Sequence, residues 1–367
     1  AASRSRKLRH SGVCVLLYHD LYNGRGFSPI QESWKRYRQI LELARSLGML
    51  ERIPLLATPL ATEEELQLAH PLHYIHWVRE QERAGTGFFD RSTPIWPGLY
   101  DRARATVGAS VLGARLIGAG ATQSAINLSG GLHHAHAERA SGFCLFNDVV
   151  IAVRVLQREF GLERIAIVDI DGHHGDGTQT LLYREPILYV SLHRHDGRFY
   201  PGTGSQEERG EGHGLGYTVN VPLPRNCGDE AYLRAMHEIV EPAVCAYRPQ
   251  CILLQYGVDG HFADAMVRLG LTTHAYAHCA RLIRHLADRL CGGRLLIVGG
   301  GGYRPQDAVR CWAFLLGELA DLAPVTIAHL HDQPPLPAPT PEAQTCIQQV
   351  IAQARADQDS WYRKVER

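Results

Sequence analysis

The sequence predicts an α/β protein in which one parallel sheet is covered by helices on both faces. Two observations carry this. Six short apolar runs recur along the 367 residues, and helical spacing fills much of the chain between them. Such runs, continuous rather than alternating, read as strands buried on both sides, which is the condition of strands in helix-covered parallel sheets. No break in composition divides the chain, so the elements belong to one α/β domain rather than two.

The elements follow in order. GVCVLLY (12–18) is the first strand and 31–48 the first helix-like stretch. Thr62 followed by Glu63, Glu64 and Glu65 marks a helix start, with acidic side chains facing the positive end of the dipole. A helix over 98–118 leads to the strand SAINLS (124–129), and a helix over 145–160 leads to RIAIVDI (164–170). ILYVSLH (187–193) is next, then a Gly-rich stretch at 201–216 too long for a simple turn. Helical spacing at 228–246 precedes CILLQY (251–256), and 272–291 precedes RLLIVG (294–299). Residues 332–341 hold five prolines in ten and form neither helix nor central strand. They make an extended strap to a polar helix near 342–364, so the main domain is 1–331 and 332–367 packs on it.

Composition excludes several classes. Lys and Arg total 38, Asp and Glu total 38, and the formal net charge is zero, which argues against a nucleic-acid binder working through bulk charge. The basic run Arg4, Arg6, Lys7, Arg9 reads as a solvated terminus. No apolar stretch approaches membrane-spanning length and no signal-peptide pattern opens the chain. Nine cysteines, an odd number without a CxxC pair and several within apolar runs, fit free thiols in a reducing compartment. The expectation is a cytoplasmic protein with no nucleic-acid or membrane partner.

The chemistry lies at strand ends. RIAIVDI runs into Asp171-Gly172-His173-His174-Gly175-Asp176. Carboxylates flanked by apolar residues at the C-terminal end of a parallel strand are costly unless paired or metal-bound. Asp171 and His173 therefore read as metal ligands, against the plainer reading of a capped strand end. Gly130-Gly131-Leu132-His133-His134 follows a strand too, with Asp169 and Asp176 as candidates to fix one imidazole each. Asp259, after CILLQY, would complete an Asp/His/Asp site with an open position, the form of a catalytic zinc. Four glycines, 299–302, precede Tyr303, a candidate donor to an oxyanion unless it is a surface tyrosine on a bare turn.

Together these segments resemble the zinc-dependent histone deacetylase family, including its bacterial acetoin-utilisation-type members. The likeness spans roughly residues 12–320 through SGGLHHA, ASGFCLFND, VDIDGHHGDGTQ, SLHRHDGRFYPGTG, LQYGVDGH and VGGGGYRP, in family order. It implies the arginase/deacetylase fold, an eight-stranded parallel sheet flanked by helices. It places one Zn2+ on Asp171, His173 and Asp259, and the paired histidines at His133 and His134, backed by Asp169 and Asp176. His134 is then general base toward the attacking water and general acid toward the leaving amine. His133 is its electrostatic partner, and Tyr303 stabilises the oxyanion. Gly142, Phe143, Tyr200, Met266 and Gly301 fall on substrate-binding positions, and Arg36 near the acetate exit by a looser match. A structural K+ would use Asp169, Asp171, His173, Ser191 and Leu192.

The chain departs from the family at the tunnel. Tyr200 stands where Phe is common and adds a hydroxyl to an apolar wall. Ser92 takes the place of the rim aspartate that clamps the peptide, with Asp90 two residues earlier. Met266 matches the apolar gate of lysine deacetylases, where polyamine-selective relatives carry glutamate. The expected activity is removal of acetyl or other short acyl groups from protein lysines. Deacetylation of small amines such as acetylpolyamines is the alternative. A two-manganese ureohydrolase lacks a second carboxylate beside Asp259, and a non-catalytic binder would not keep every catalytic position filled. Oligomeric state is not legible.

Overall fold

A computed structural model describes residues 14–24 and 32–365, with side chains through Asp357. The basic run at residues 4–9 lies outside them. The first part of the chain forms β1 (Cys14–Tyr18), α1 (Lys35–Ser46), β2 (Leu55–Ala57), α2 (Glu63–Leu66), α3 (Leu72–Ala84) and α4 (Leu99–Gly118). The middle forms β3 (Ser124–Asn127), α5 (Asp148–Phe160), β4 (Ile165–Asp169), α6 (Asp176–Leu182), β5 (Leu188–Arg194) and β6 (Thr218–Leu223). Then come α7 (Gly228–Ala235), a π-helical turn (Met236–Val240), α8 (Glu241–Tyr247), β7 (Cys251–Gln255) and α9 (Thr273–Cys291). The chain ends with β8 (Leu295–Val298), α10 (Pro305–Leu319), α11 (Pro324–Ile327) and α12 (Pro341–Val365).

The strands form one eight-stranded sheet in the order β2-β1-β3-β8-β7-β4-β5-β6, every pair parallel. Its two faces feed two cores. On β4, Ala166 and Val168 join one core with α1, α7, α9 and α10, while Ile165 and Ile167 join the other with α4 and α5. This period-2 sorting of uniformly apolar strands is what burial on both faces requires.

The six apolar runs are the six interior strands. The two strands they do not announce, β2 and β6, are the sheet's edges. β2 is three residues long and exposed throughout. β6 (TVNVPL) mixes polar residues with Pro222, which only an edge tolerates. Helices α3, α6, α10 and α11 are likewise unannounced. The signal at Thr62 is a full capping box, with Glu65 N–H donating to Thr62 Oγ1 at 3.2 Å and Thr62 N–H to Glu65 Oε2 at 2.8 Å.

The proline strap carries no regular structure between residues 333 and 340. Asp332 fixes its start by accepting from the Thr273 N–H at 2.8 Å and pairing with His261 (2.9 Å) and Arg310 (2.7 Å). Beyond it, Ile347, Val350, Ile351 and Ala354 of α12 are buried in the same core as α7 and α9. Gln206 Nε2 donates to the Val350 carbonyl at 2.9 Å, and Arg209 pairs with Asp357 at 3.0 Å.

Candidate active site

Strands β3, β8, β7 and β4 lie side by side and run the same way, so the loops after Asn127, Val298, Gln255 and Asp169 meet at one edge. These four loops carry the four clusters singled out in the sequence. One ligand atom each from Asp171, His173 and Asp259 lies within 4.8 Å of the others, all three residues buried. His173 Nδ1 stands 2.8 Å from Asp259 Oδ2 and 3.4 Å from Asp171 Oδ1.

Backbone donors aim the two carboxylates. The Gly301 N–H donates to Asp171 Oδ2 at 2.6 Å, and the Gly172 N–H to Asp259 Oδ1 at 2.8 Å. A Cβ on Gly257 would stand 2.1 Å from Asp171 Oδ2, and one on Gly301 2.1 Å from Asp259 Oδ2, so only glycine lets the loops approach. Burial, then the charge of Asp171, pushes Asp259 up to about 6. Two crowded buried carboxylates with one imidazole form an O, N, O donor set that fits a divalent cation, zinc included, and relieves the cost of burying like charges.

The adjacent histidines are each held by one carboxylate. His133 Nδ1 lies 2.8 Å from Asp169 Oδ2, His134 Nδ1 lies 2.7 Å from Asp176 Oδ1, and the two rings are 4.1 Å apart. Since a carboxylate accepts, each Nδ1 carries the proton, which leaves the lone pair of a neutral ring on Nε2. Their environments split the pair. Burial alone would lower His133, but the charges of Asp169 and Asp171 reverse this and raise it to about 9. Burial and the neighbouring His133 charge lower His134 to about 4, despite Asp176. A cationic His133 beside a neutral His134 is a base with a fixed field next to it.

Two cavities meet here. A funnel of about 290 Å³ opens to solvent and is lined by Ser92, Phe199, Tyr200 and Met266. A smaller cavity of about 60 Å³ continues inward past Asp171, Gly301 and Arg36. His134, Gly142, Phe143 and Tyr303 line both, so they mark the junction. Arg36 Nη2 donates to the Gly300 carbonyl and to Tyr37 Oη, both at 2.9 Å, which holds its guanidinium against the inner cavity. Ser191 sits opposite Asp169 in the β4–β5 register, with Leu192 buried beside it. The Tyr200 hydroxyl does not sit loose on an apolar wall: it lies 2.6 Å from Ser141 Oγ.

Asp90 is not a free rim acid either. Its carboxylate accepts from the N–H groups of Ser92 (2.8 Å), Thr93 (2.6 Å) and Gly142 (3.1 Å), and from Ser92 Oγ (3.0 Å). Three further residues support the site without having stood out. Asp264 Oδ2 accepts from the Tyr303 N–H at 2.7 Å. Asp148 accepts from Leu132 N–H at 2.8 Å and Gly131 N–H at 3.1 Å, ahead of the histidines. His136 Nε2 stands 2.9 Å from Asp176 Oδ2, so that carboxylate serves two imidazoles. Asp148 closes the motif ASGFCLFND, a signal that was present. Asp264 and His136 lie in no recognisable pattern.

An α/β sheet whose central strand ends bring together an Asp-His-Asp donor set and two carboxylate-backed histidines defines an amidohydrolase centre. The chain belongs to the histone deacetylase family: a histone deacetylase domain matches residues 30–319. It is 35% identical to a histone deacetylase-like amidohydrolase of Pseudomonas aeruginosa over 80% of this chain and 77% of that one. To the acetoin utilization protein AcuC of Bacillus subtilis it is 33% identical, covering 84% and 83%. The crystal structure of the HDA15 HD domain superposes with a TM-score of 0.83 at 25% identity, covering 97% of each chain. The eight-stranded parallel sheet is thus the arginase/deacetylase fold.

Proposed function

We propose that the protein is a zinc-dependent lysine deacetylase that removes acetyl groups from protein side chains in the cytoplasm. The observation that carries this reading is the junction itself. A narrow, aromatic-walled funnel reaches the donor set and the histidine pair, and a second small cavity lies beyond. An unbranched alkyl chain ending in an amide fits such a path, and a small carboxylate product fits the inner cavity beside Arg36. Nine free cysteines support a reducing compartment.

Asp171, His173 and Asp259 would hold the zinc, which when bound polarises the acyl carbonyl and lowers the pKa of water. Potassium is assigned to Asp169, Asp171, His173, Ser191 and Leu192. The protein's own residues handle the protons. His134 Nε2 takes one from the attacking water as the C–O bond forms, then gives it to the nitrogen as the C–N bond breaks. Cationic His133 and the Tyr303 hydroxyl stabilise negative charge on the acyl oxygen. Phe143 and Tyr200 enclose the alkyl chain, Gly142 and Gly301 give it room, and Met266 covers it at the mouth.

One observation favours the small-amine alternative. Asp90 is committed to backbone N–H groups of the wall, so it is not free to clamp a peptide backbone. The deciding experiment follows acetyl loss by mass spectrometry from acetyl-lysine peptides and N-acetylpolyamines side by side, with Tyr303→Phe as blank. Faster loss from peptides is expected. Faster loss from polyamines would overturn the protein-substrate reading.

A further inference from the structure

Three aspartates stand two residues ahead of a funnel-lining side chain: Asp90 before Ser92, Asp196 before Arg198, Asp264 before Met266. Asp264 is buried and Asp90 half-buried in the wall, while Asp196 is exposed and held in an ion pair. Asp90 accepts from three backbone N–H groups, as above. Asp196 Oδ1 accepts from the N–H groups of Arg198 (3.0 Å) and Phe199 (2.7 Å), and Arg194 binds its other oxygen at 3.0 Å. Asp264 accepts from the N–H groups of Met266 (2.9 Å) and Tyr303 (2.7 Å). Each acid thus shapes a loop, and the exposed one, Asp196, has its charge offset by the Arg194 ion pair.

The cation in the same wall is placed otherwise. Arg198 is exposed, lines the funnel and has no acidic partner among the described residues. Arg91, exposed beside Ser92, adds charge of the same sign. The remaining mouth residues, Ser92, Tyr200 and Met266, are neutral. A funnel whose acids are tied to backbone N–H groups or paired with Arg194, and whose lining includes an exposed arginine without an acidic partner among the described residues, has an excess of positive charge where a substrate's flanks must lie.

We propose that Arg198 makes the enzyme select acylated amines that carry a carboxylate close to the scissile amide, and reject polycations. The inference rests on the amide-hydrolase reading above and names its substrate class. The carboxylate has two sources, an acidic side chain flanking the acyl-lysine in a peptide or the α-carboxylate of free acyl-lysine.

The test measures kcat/KM for acetyl-lysine peptides identical except for Asp, Ala or Lys flanks, and for free Nε-acetyl-lysine against its α-amide. At low salt the Asp-flanked peptide should exceed the Lys-flanked one by about fivefold, the size of one exposed charge contact. The difference should sit in KM, shrink in 0.5 M salt, and reverse in Arg198→Glu. Preference among the peptides assigns the carboxylate to a flanking side chain. Preference confined to free acetyl-lysine over its amide assigns it to the α-carboxylate. Turnover with no preference, or a preference that survives Arg198→Glu, overturns the inference alone. No turnover of any acetyl-lysine substrate overturns the lysine-deacetylase reading beneath it.

Discussion

At the scale of single residues, the site divides into groups that meet substrate and groups that hold those in place. Tyr303 lines both cavities but is not part of the candidate metal donor set. Tyr303→Phe should therefore keep its metal, by elemental analysis, while turnover falls about 10²–10³-fold, the loss seen when one oxyanion donor is removed. Asp259→Ala should lose the metal itself, and unchanged metal content would remove it from the ligand set. A pH dependence follows for protein stripped of metal. His133 is raised to about 9 in the folded state, against about 6.5 for an ordinary imidazole. A raised histidine contributes stability that is complete below about pH 6.5 and is lost as pH rises through about 9. Thermal midpoints of the stripped protein should fall between about pH 7 and 9.5, and His133→Gln should flatten that slope. Most residues placed at the junction were legible because titratable groups at the ends of apolar strands need a reason to be there. Asp264 was not, since it acts on backbone N–H groups, and no side-chain pattern records which backbone a carboxylate reaches.

At the scale of elements, legibility followed burial. The six interior strands announce themselves because both faces are apolar, and the edges β2 and β6 do not, because each meets solvent or a single cover. Helix α10 is missed for the opposite reason: every residue from Asp307 to Gly317 except Arg310 is buried, which blurs the helical period. Helix α3 buries only Tyr74, Ile75 and Val78 of its thirteen residues, too few to stand out. Packing also decides substitutions that propensity alone gets wrong. Gly108 lies inside α4, where alanine should gain about 1 kcal/mol. A Cβ there would stand 2.1 Å from the Pro59 carbonyl oxygen, a backbone atom with no rotamer to yield. A contact that close to backbone puts the cost at the upper end of the usual overpacking range, about 2–3 kcal/mol, so after the helix gain Gly108→Ala should lower the urea midpoint by the equivalent of about 1–2 kcal/mol. An unchanged or raised midpoint would show that the 59–61 segment gives way freely.

At the scale of the whole molecule, the strap and α12 set how far the domain extends. Ile347, Val350 and Ile351 are buried against the core that also holds α7 and α9. At about 1.5–3 kcal/mol per buried aliphatic side chain, their removal rivals the roughly 5–15 kcal/mol that holds a domain folded. Ending the chain at residue 340 should produce aggregation in size-exclusion chromatography and a thermal midpoint lower by 10 °C or more, at about 2–4 °C per kcal/mol. A monodisperse truncated protein with the parent midpoint would make residues 341–367 dispensable to the rest of the fold. The strand order has a further consequence, for the time course of damage. Amide hydrogens of β3, β8, β7 and β4 sit in the middle of the sheet and should exchange with solvent only when the molecule opens globally, whereas those of β2 exchange by local fraying. Because the four loops of the site hang from those inner strands, a warmed or aged sample can lose its edge order and still turn over substrate at the full rate. Isotope exchange would register that injury well before any activity assay does.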